Sequence, residues 1–312
     1  MTQPAPDTGD NTPARASANP ILGIALLVLA CLCFSILDAT AKYLGSHVPT
    51  LQIVWIRFLS HVVLAFLMFR VWANPDILKT GRPVLQGVRA VCLLLTTVFN
   101  FLAVQYLQLA ETMSIMFATP FVVTALAGPL LGEWAGLKRW IAIIVGFIGV
   151  LIVTQPGMGG MHWAALYSVA AMMTYALYAL LTRMLTETES PAGMLFISGI
   201  VAALATAPAG LAVWETPSEL TIWLLLLSTG VWGALGHWLF IAAHRISPAP
   251  VLAPFIYVQI VWMIALGYLI FSDVPSWATL AGASVVVASG LFILYRERVK
   301  GTAVATELPP ER

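Results

Sequence analysis

Ten apolar runs, each close to the length that crosses a bilayer, limit what this chain can fold into. They cover residues 21–44, 51–71, 84–107, 111–132, 138–155, 162–184, 193–214, 220–243, 249–271 and 276–295, joined by short connections such as NPDILKTGRP, QPGMGG, TETESPAG, ETPSE and SDVP. A helix rising 1.5 Å per residue needs about 20 apolar residues to span the hydrocarbon core. So many spans in 312 residues leave no room for a soluble domain. Charged residues make up 9% of the chain and hydrophobic ones 60%. Soluble domains carry about 25% charged residues, so this chain could not cover a water-facing surface. The fold class read here is an all-α integral membrane protein with ten transmembrane helices.

Lysine and arginine set the expected orientation, because cytoplasmic loops are enriched in both. With the N-terminus inside, the inner connections hold Arg70, Lys79, Arg82, Lys138, Arg139, Arg183 and Arg245, and the C-terminal end adds Arg296, Arg298 and Lys300. The outer connections, at 45–50, 108–110, 156–161, 215–219 and 272–275, contain neither residue. Both termini are therefore expected in the cytoplasm. Residues 1–20 are polar and rich in Pro, Ala, Asp and Thr, which predicts a disordered tail. The tail lacks the basic start of a signal peptide, so the first run is expected to be a retained span. Residues 297–312 read as a C-terminal tail.

Cys31, Cys33 and Cys92 all lie inside apolar runs and show no paired spacing, which gives no disulfide framework and no zinc site. No metal or cofactor motif is present. A net charge of +1 gives no ground for a nucleic-acid partner.

The chain is doubled. ALYALLTRML (176–185) can be laid on SILDATAKYL (35–44), which opposes Lys42 to Arg183. Residues 101–133 can be laid on 241–273, which opposes Glu133 to Asp273. IAIIVGFIGVLIV (141–153) and AGASVVVASGLFIL (281–294) match with a one-residue shift. The expected units are 21–155 and 162–296, with five spans each. An odd number of spans makes the second copy enter the membrane from the opposite side. Inverted repeats of this kind suit secondary transporters, because two oppositely oriented half-units give near-equivalent states open to either side.

The stretches FLAVQYLQLAETMSIMFATPFVV and LLGEW (within 101–134), GFIGVLIV (146–153) and SPAPVLAPFIYVQ (247–259) resemble the drug/metabolite transporter superfamily in its ten-span EamA form. The resemblance runs from about residue 21 to 296. LDATAKYLG (37–45), VWIRF (54–58) and GALGHWLFIAAHR (233–245) are similar to the group of bacterial riboflavin importers. The resemblance implies a bacterial inner-membrane carrier of a small organic metabolite, with riboflavin uptake as the first cargo and export of amino acids or other metabolites as the alternative. It leaves monomer or homodimer open.

The site is read from charges and polar groups at membrane depth, where they are costly and mark function. Lys42 lies about 3 Å from the outer end of the first span, and Asp38 and Arg57 each lie about 9 Å deep on consecutive helices. That matching depth predicts an Asp38–Arg57 ion pair. Lys42 is expected above it, snorkelling to the headgroups, and His61 one turn below Arg57. The cluster is expected either to lock two helices or to gate and bind substrate. A carboxylate held by arginine is a poor proton carrier.

Arg89, Thr96 and Asn100 share one face of the third span, and Tyr167, Thr174 and Tyr178 share one face of the sixth. Arg89 is expected at headgroups or water, and Asn100 in the bundle. His237, Tyr257, Gln259 and Trp262 are expected to face inward, with Gln259 and Trp262 on one face. Aromatic faces with few hydrogen-bonding groups suit a flat, largely neutral molecule. Pro120 and Pro254 are expected hinges, with Pro248 and Pro250 nearby, because proline in a helix frees a carbonyl. Gly128 with Gly132, and the series Gly230, Gly233 and Gly236, are expected to allow close helix contact.

There is no P-loop, HExxH or GxSG motif, so the chain is read as a non-enzyme. A membrane-embedded enzyme using Asp38, Lys42, Arg57 and His61 would leave the doubling unexplained. A channel would draw its pore ring from oligomer symmetry, which a doubled single chain does not need.

Overall fold

The computed structural model describes residues 20–132, 136–155, 162–185, 188–247 and 252–307, and every regular element among them is helical. The first half contains α1 (Pro20–Leu44), α2 (Thr50–Met68), α3 (Pro83–Tyr106), α4 (Leu109–Met116), α5 (Thr119–Leu131) and α6 (Leu137–Thr154). The second contains α7 (Ala165–Leu185), α8 (Pro191–Ala212), α9 (Leu220–Ile246), α10 (Gln259–Phe271) and α11 (Trp277–Glu307). Short 3-10 turns lie at Pro75–Leu78 and Ala253–Val258. Among the described residues, seven helical segments are long and apolar enough to cross a membrane, and three more, Trp140–Thr154, Phe255–Phe271 and Trp277–Phe292, are shorter and apolar.

Local sequence explains many of the ends. Pro83 and Pro191 start helices, where their missing N–H costs nothing. Ser190 caps α8 by accepting from the Gly193 N–H at 3.0 Å. Gly132, at φ 74°, ends α5 in the left-handed region that glycine adopts without strain.

The fourth and ninth spans are interrupted. The fourth breaks at Phe117–Ala118 into α4 and α5, with Pro120 in the first turn of α5. The ninth runs as the 3-10 turn Ala253–Val258 before α10, with Pro254 in that turn. Pro248 and Pro250 lie outside the described residues. The last span runs to Glu307, beyond the end expected near 295, through the helix-compatible stretch YRERVK.

Pairing between helices is reciprocal. α1 packs on α9 while α3 packs on α7; α2 packs on α8 and α6 on α11. Glycines set some of these approaches. A Cβ on Gly149 or Gly282 would press against the other helix's backbone, and Gly230 and Gly236 lie against Ser60 and Phe34. Gly132 has open space around it and serves as a helix cap. The surface is inverted relative to a soluble protein. Arg57, Arg89, Gln52 and Gln86 are buried, whereas Ile141, Ile144, Ile148 and Leu151 form an exposed apolar stripe on α6.

Candidate functional site: a cavity between the halves

The third and sixth spans meet along the two polar faces read from the sequence. Thr96 Oγ1 donates to Thr174 Oγ1 at 2.9 Å, and the Phe99 and Tyr167 rings stack at 6.3 Å. Arg89 departs from its expected place at the headgroups. It is 2% exposed and donates to Thr182 Oγ1 at 2.7 Å, Ser198 Oγ at 2.8 Å, the Met194 carbonyl at 3.1 Å and Tyr178 Oη at 3.0 Å. Its guanidinium also lies 4.7 Å from the Tyr178 ring centroid. Four acceptors from α7 and α8 replace water, so Arg89 ties α3 to the second half. Tyr178 is thereby part of that tie and does not line the cavity.

Above this tie lies a cavity of about 590 Å³. Both halves build its walls. Phe34 and Asp38 come from α1, Arg57 from α2, Thr97 and Asn100 from α3, Tyr175 and Arg183 from α7, and His237 from α9. The two interrupted spans complete it, with Met113, Met116, Phe117 and Pro120 on one side and Tyr257 and Gln259 on the other. The Phe117 and Tyr257 rings meet edge to face at 4.9 Å. Residues from both breaks line the cavity, where irregular backbone is tolerated at membrane depth.

The predicted Asp38–Arg57 ion pair is not formed. Asp38 Oδ1 accepts instead from Asn100 Nδ2 at 2.9 Å. Arg57, 7% exposed, donates through Nη1 to Thr97 Oγ1 at 3.3 Å. Its Nε is buried without a partner. Its guanidinium packs 4.6 Å from the Phe58 centroid and 5.7 Å from that of Phe101. Equal depth put both groups on the same cavity, but neutral hydroxyl and amide groups on α3 took the positions of direct partner.

Lys42 does not snorkel outward. Its Nζ lies 2.8 Å from Asp273 Oδ2, donates to the Leu107 carbonyl at 3.0 Å and sits 4.9 Å from the Phe271 ring centroid. This contact ties the ends of α1 and α3 to the end of α10, one helical turn beyond Asp38. The other end of the cavity reaches Ala127 and the exposed Arg183. Glu133, opposed to Asp273 in the sequence comparison, lies outside the described residues.

His61 lies behind the cavity wall, 6.2 Å from the His237 ring and perpendicular to it. Trp262 also departs from its expected place. Gln259 lines the cavity, but three residues on the helix has turned about 60°, and Trp262 packs in the cluster of Leu27, Cys31 and Leu252. Phe34, Phe117, Tyr175 and Met113 were absent from the sequence reading of the site. The repeat alignment itself carried a signal, since it opposes Phe117 to Tyr257 and, one residue before the aligned blocks, Phe34 to Tyr175. Among the described residues no group of His, Cys, Asp and Glu could hold a metal ion.

Comparison with known proteins agrees with this architecture. The chain is 30% identical over 278 residues to an S-adenosylmethionine uptake transporter of Rickettsia bellii, covering 89% of this chain and 94% of that one. It is 25% identical to a riboflavin transporter of Vibrio cholerae, over 90% and 96% of the two chains. It is 27% identical to a pseudopaline exporter of Pseudomonas aeruginosa, over 86% and 94%. A solved crystal structure shares the fold at a TM-score of 0.58 and 16% identity, covering 88% of this chain and 96% of that one. The model of the EamA-like transporter family matches twice, at residues 21–155 and 162–295. This multi-pass membrane protein belongs to the EamA-like transporter family, a family of small-metabolite carriers.

Proposed function

We propose that the chain is a secondary transporter that takes up a ring-bearing organic metabolite by alternating access across a bacterial inner membrane, with both termini in the cytoplasm. The observation that carries this reading is the cavity of about 590 Å³ shared by both halves, whose rings Phe34, Phe117, Tyr175 and Tyr257 stand beside a few polar groups. Its size falls in the range of small-molecule sites, roughly 300–1,000 Å³. With the N-terminus inside, the end beyond which Lys42 and Asp273 pair is the outer one, and the end reaching Arg183 is the inner one. The described arrangement then corresponds to the state closed outward.

Two cargoes fit the ring-lined walls. Riboflavin is the cargo implied by the sequence resemblance, and relatives that carry it by name support it. S-adenosylmethionine is supported by relatives at 29–30% identity and by the charged side chains on the cavity. Both present a flat heteroaromatic ring. The test is uptake of labelled riboflavin and labelled S-adenosylmethionine by cells with and without this chain. Saturable uptake of one, blocked by the same unlabelled compound, is the expected result. Faster loss of preloaded compound in expressing cells, without uptake, would replace import by export.

A further inference from the structure

Charged side chains within membrane-spanning segments are costly and mark function. Evolution normally offsets that cost by pairing opposite charges. Asp38 and Arg57 both face this cavity, yet among the described residues they form no ion pair with each other or with any third group. Asp38 is held by an amide and Arg57 by one hydroxyl at 3.3 Å. Arg57 Nε is buried without any acceptor. A guanidinium has five N–H donors arranged to grip a carboxylate with two parallel bonds, and here most of that capacity is unused.

We propose that Asp38 and Arg57 are specificity-determining residues that divide a zwitterionic headgroup between them. The carboxylate of the substrate sits on the Arg57 fork, and its ammonium sits on Asp38, oriented by Asn100. This rests on the transporter reading above and narrows its substrate class to ring compounds bearing a free ammonium and a free carboxylate. A neutral ring compound would fill the aromatic walls and leave both charges without a direct charged partner. A dipolar headgroup supplies what each lacks, and the substrate then enters the low-dielectric cavity with its charges compensated. The competing idea is that the two residues only brace α1 and α2 against α3. Bracing would call for closed contacts, whereas Arg57 lines the cavity with a single side-chain bond at 3.3 Å and a buried Nε that has no acceptor.

The test is ligand binding to the purified full-length protein in detergent, followed by isothermal calorimetry, with three probes that share one ring system. These are S-adenosylhomocysteine, its decarboxylated analogue and methylthioadenosine, which lacks the whole headgroup; all three are thioethers and differ only in that headgroup, and riboflavin serves as the neutral comparison. In the wild type, loss of the carboxylate should weaken binding about 100-fold or more, since sites built to pair a polar group reject analogues lacking it. Arg57→Gln should bind S-adenosylhomocysteine about as weakly as the wild type binds the decarboxylated analogue, with the affinity for that analogue unchanged. Asp38→Asn should weaken both amine-bearing probes and leave methylthioadenosine unaffected. The wild-type series needs no variant to fold. Equal affinity of the wild type for all three adenosyl probes would overturn the proposal, as would variants that weaken every probe equally. Tight binding and transport of riboflavin, unchanged in Asp38→Asn, would overturn the headgroup assignment while leaving the transporter reading intact. Binding and transport of none of the four compounds would overturn both.

Discussion

The Lys42 ammonium lies 2.8 Å from the Asp273 carboxylate, across 231 positions of sequence, and joins the end of the first span to the end of the ninth. The same nitrogen donates to the Leu107 carbonyl at 3.0 Å. One side chain thus joins three helix ends, one turn beyond Asp38 on the cavity wall. Neighbouring contacts reinforce that face. Gln108 Nε2 donates to the Val274 carbonyl at 3.3 Å, and Gln52 both donates to the Glu215 carbonyl at 2.8 Å and accepts from its N–H at 2.9 Å.

Breaking this pair should favour the arrangement open at that face. Asp273→Asn is expected to raise the rate at which a cysteine placed at Thr97 reacts with a membrane-impermeant thiol reagent from that side. The exchange Lys42→Asp with Asp273→Lys should restore the slow rate. Equal labelling rates in all three proteins would show that the pair is decorative.

Gly290 lies on the cavity wall where a Cβ would overlap the Tyr257 hydroxyl. Gly290→Ala is therefore expected to push Tyr257 toward Phe117 and narrow the cavity. Uptake should fall by about tenfold or more, the scale of misplacing a site group, while membrane expression is kept. Gly290→Ala combined with Tyr257→Phe removes the colliding oxygen and should recover part of the loss. Wild-type uptake by Gly290→Ala would contradict the placement of Tyr257.

Arg89 donates four hydrogen bonds that link α3 to α7 and α8. Interhelical hydrogen bonds in membranes average about 0.6 kcal/mol each, so Arg89→Ala should lose about 2 kcal/mol and lower the Tm in detergent. Arg89→Lys should restore little, because an ammonium cannot reproduce a planar fork. A Tm unchanged in Arg89→Ala would remove Arg89 from the interface between the halves.

Gln259 and Trp262 should separate in their effects. Gln259→Ala is expected to weaken substrate affinity with an unchanged Tm. Trp262→Ala is expected to leave affinity near wild type and cost about 2 kcal/mol or more of stability, because it empties part of the cluster around Leu27 and Cys31. Paired measurements of Kd and Tm for both variants decide this. A Trp262→Ala protein with normal Tm and lost binding would return the indole to the site.

Much of the fold was legible because lipid imposes a simple rule on sequence: long apolar runs with charges only at their ends. The polar faces of the third and sixth spans were legible for the same reason, and Thr96 and Thr174 meet as such faces should. Partner choice was less legible. Depth placed Asp38 and Arg57 on one cavity, but depth is a single coordinate, and Asn100 and Thr97 on α3 took the contacts. Lys42 looked free to snorkel because Asp273 is distant in sequence and reaches it only after the halves pack. Trp262 was misplaced because helical periodicity gives an angle about the axis without saying which neighbour lies there. The aromatic pair Phe117 and Tyr257 could have been found by aligning the halves and asking which rings oppose each other.

The central claim is that this chain alone moves a ring-bearing metabolite through the cavity between its halves. The most direct measurement is counterflow in vesicles that contain only the purified protein, preloaded with unlabelled S-adenosylmethionine or riboflavin and diluted into a trace of the labelled compound. A transient overshoot of label inside the vesicles for at least one of the two, markedly slowed in Gly290→Ala, is the predicted result. Equilibration without overshoot for both compounds, at the rate of protein-free vesicles, would contradict the account.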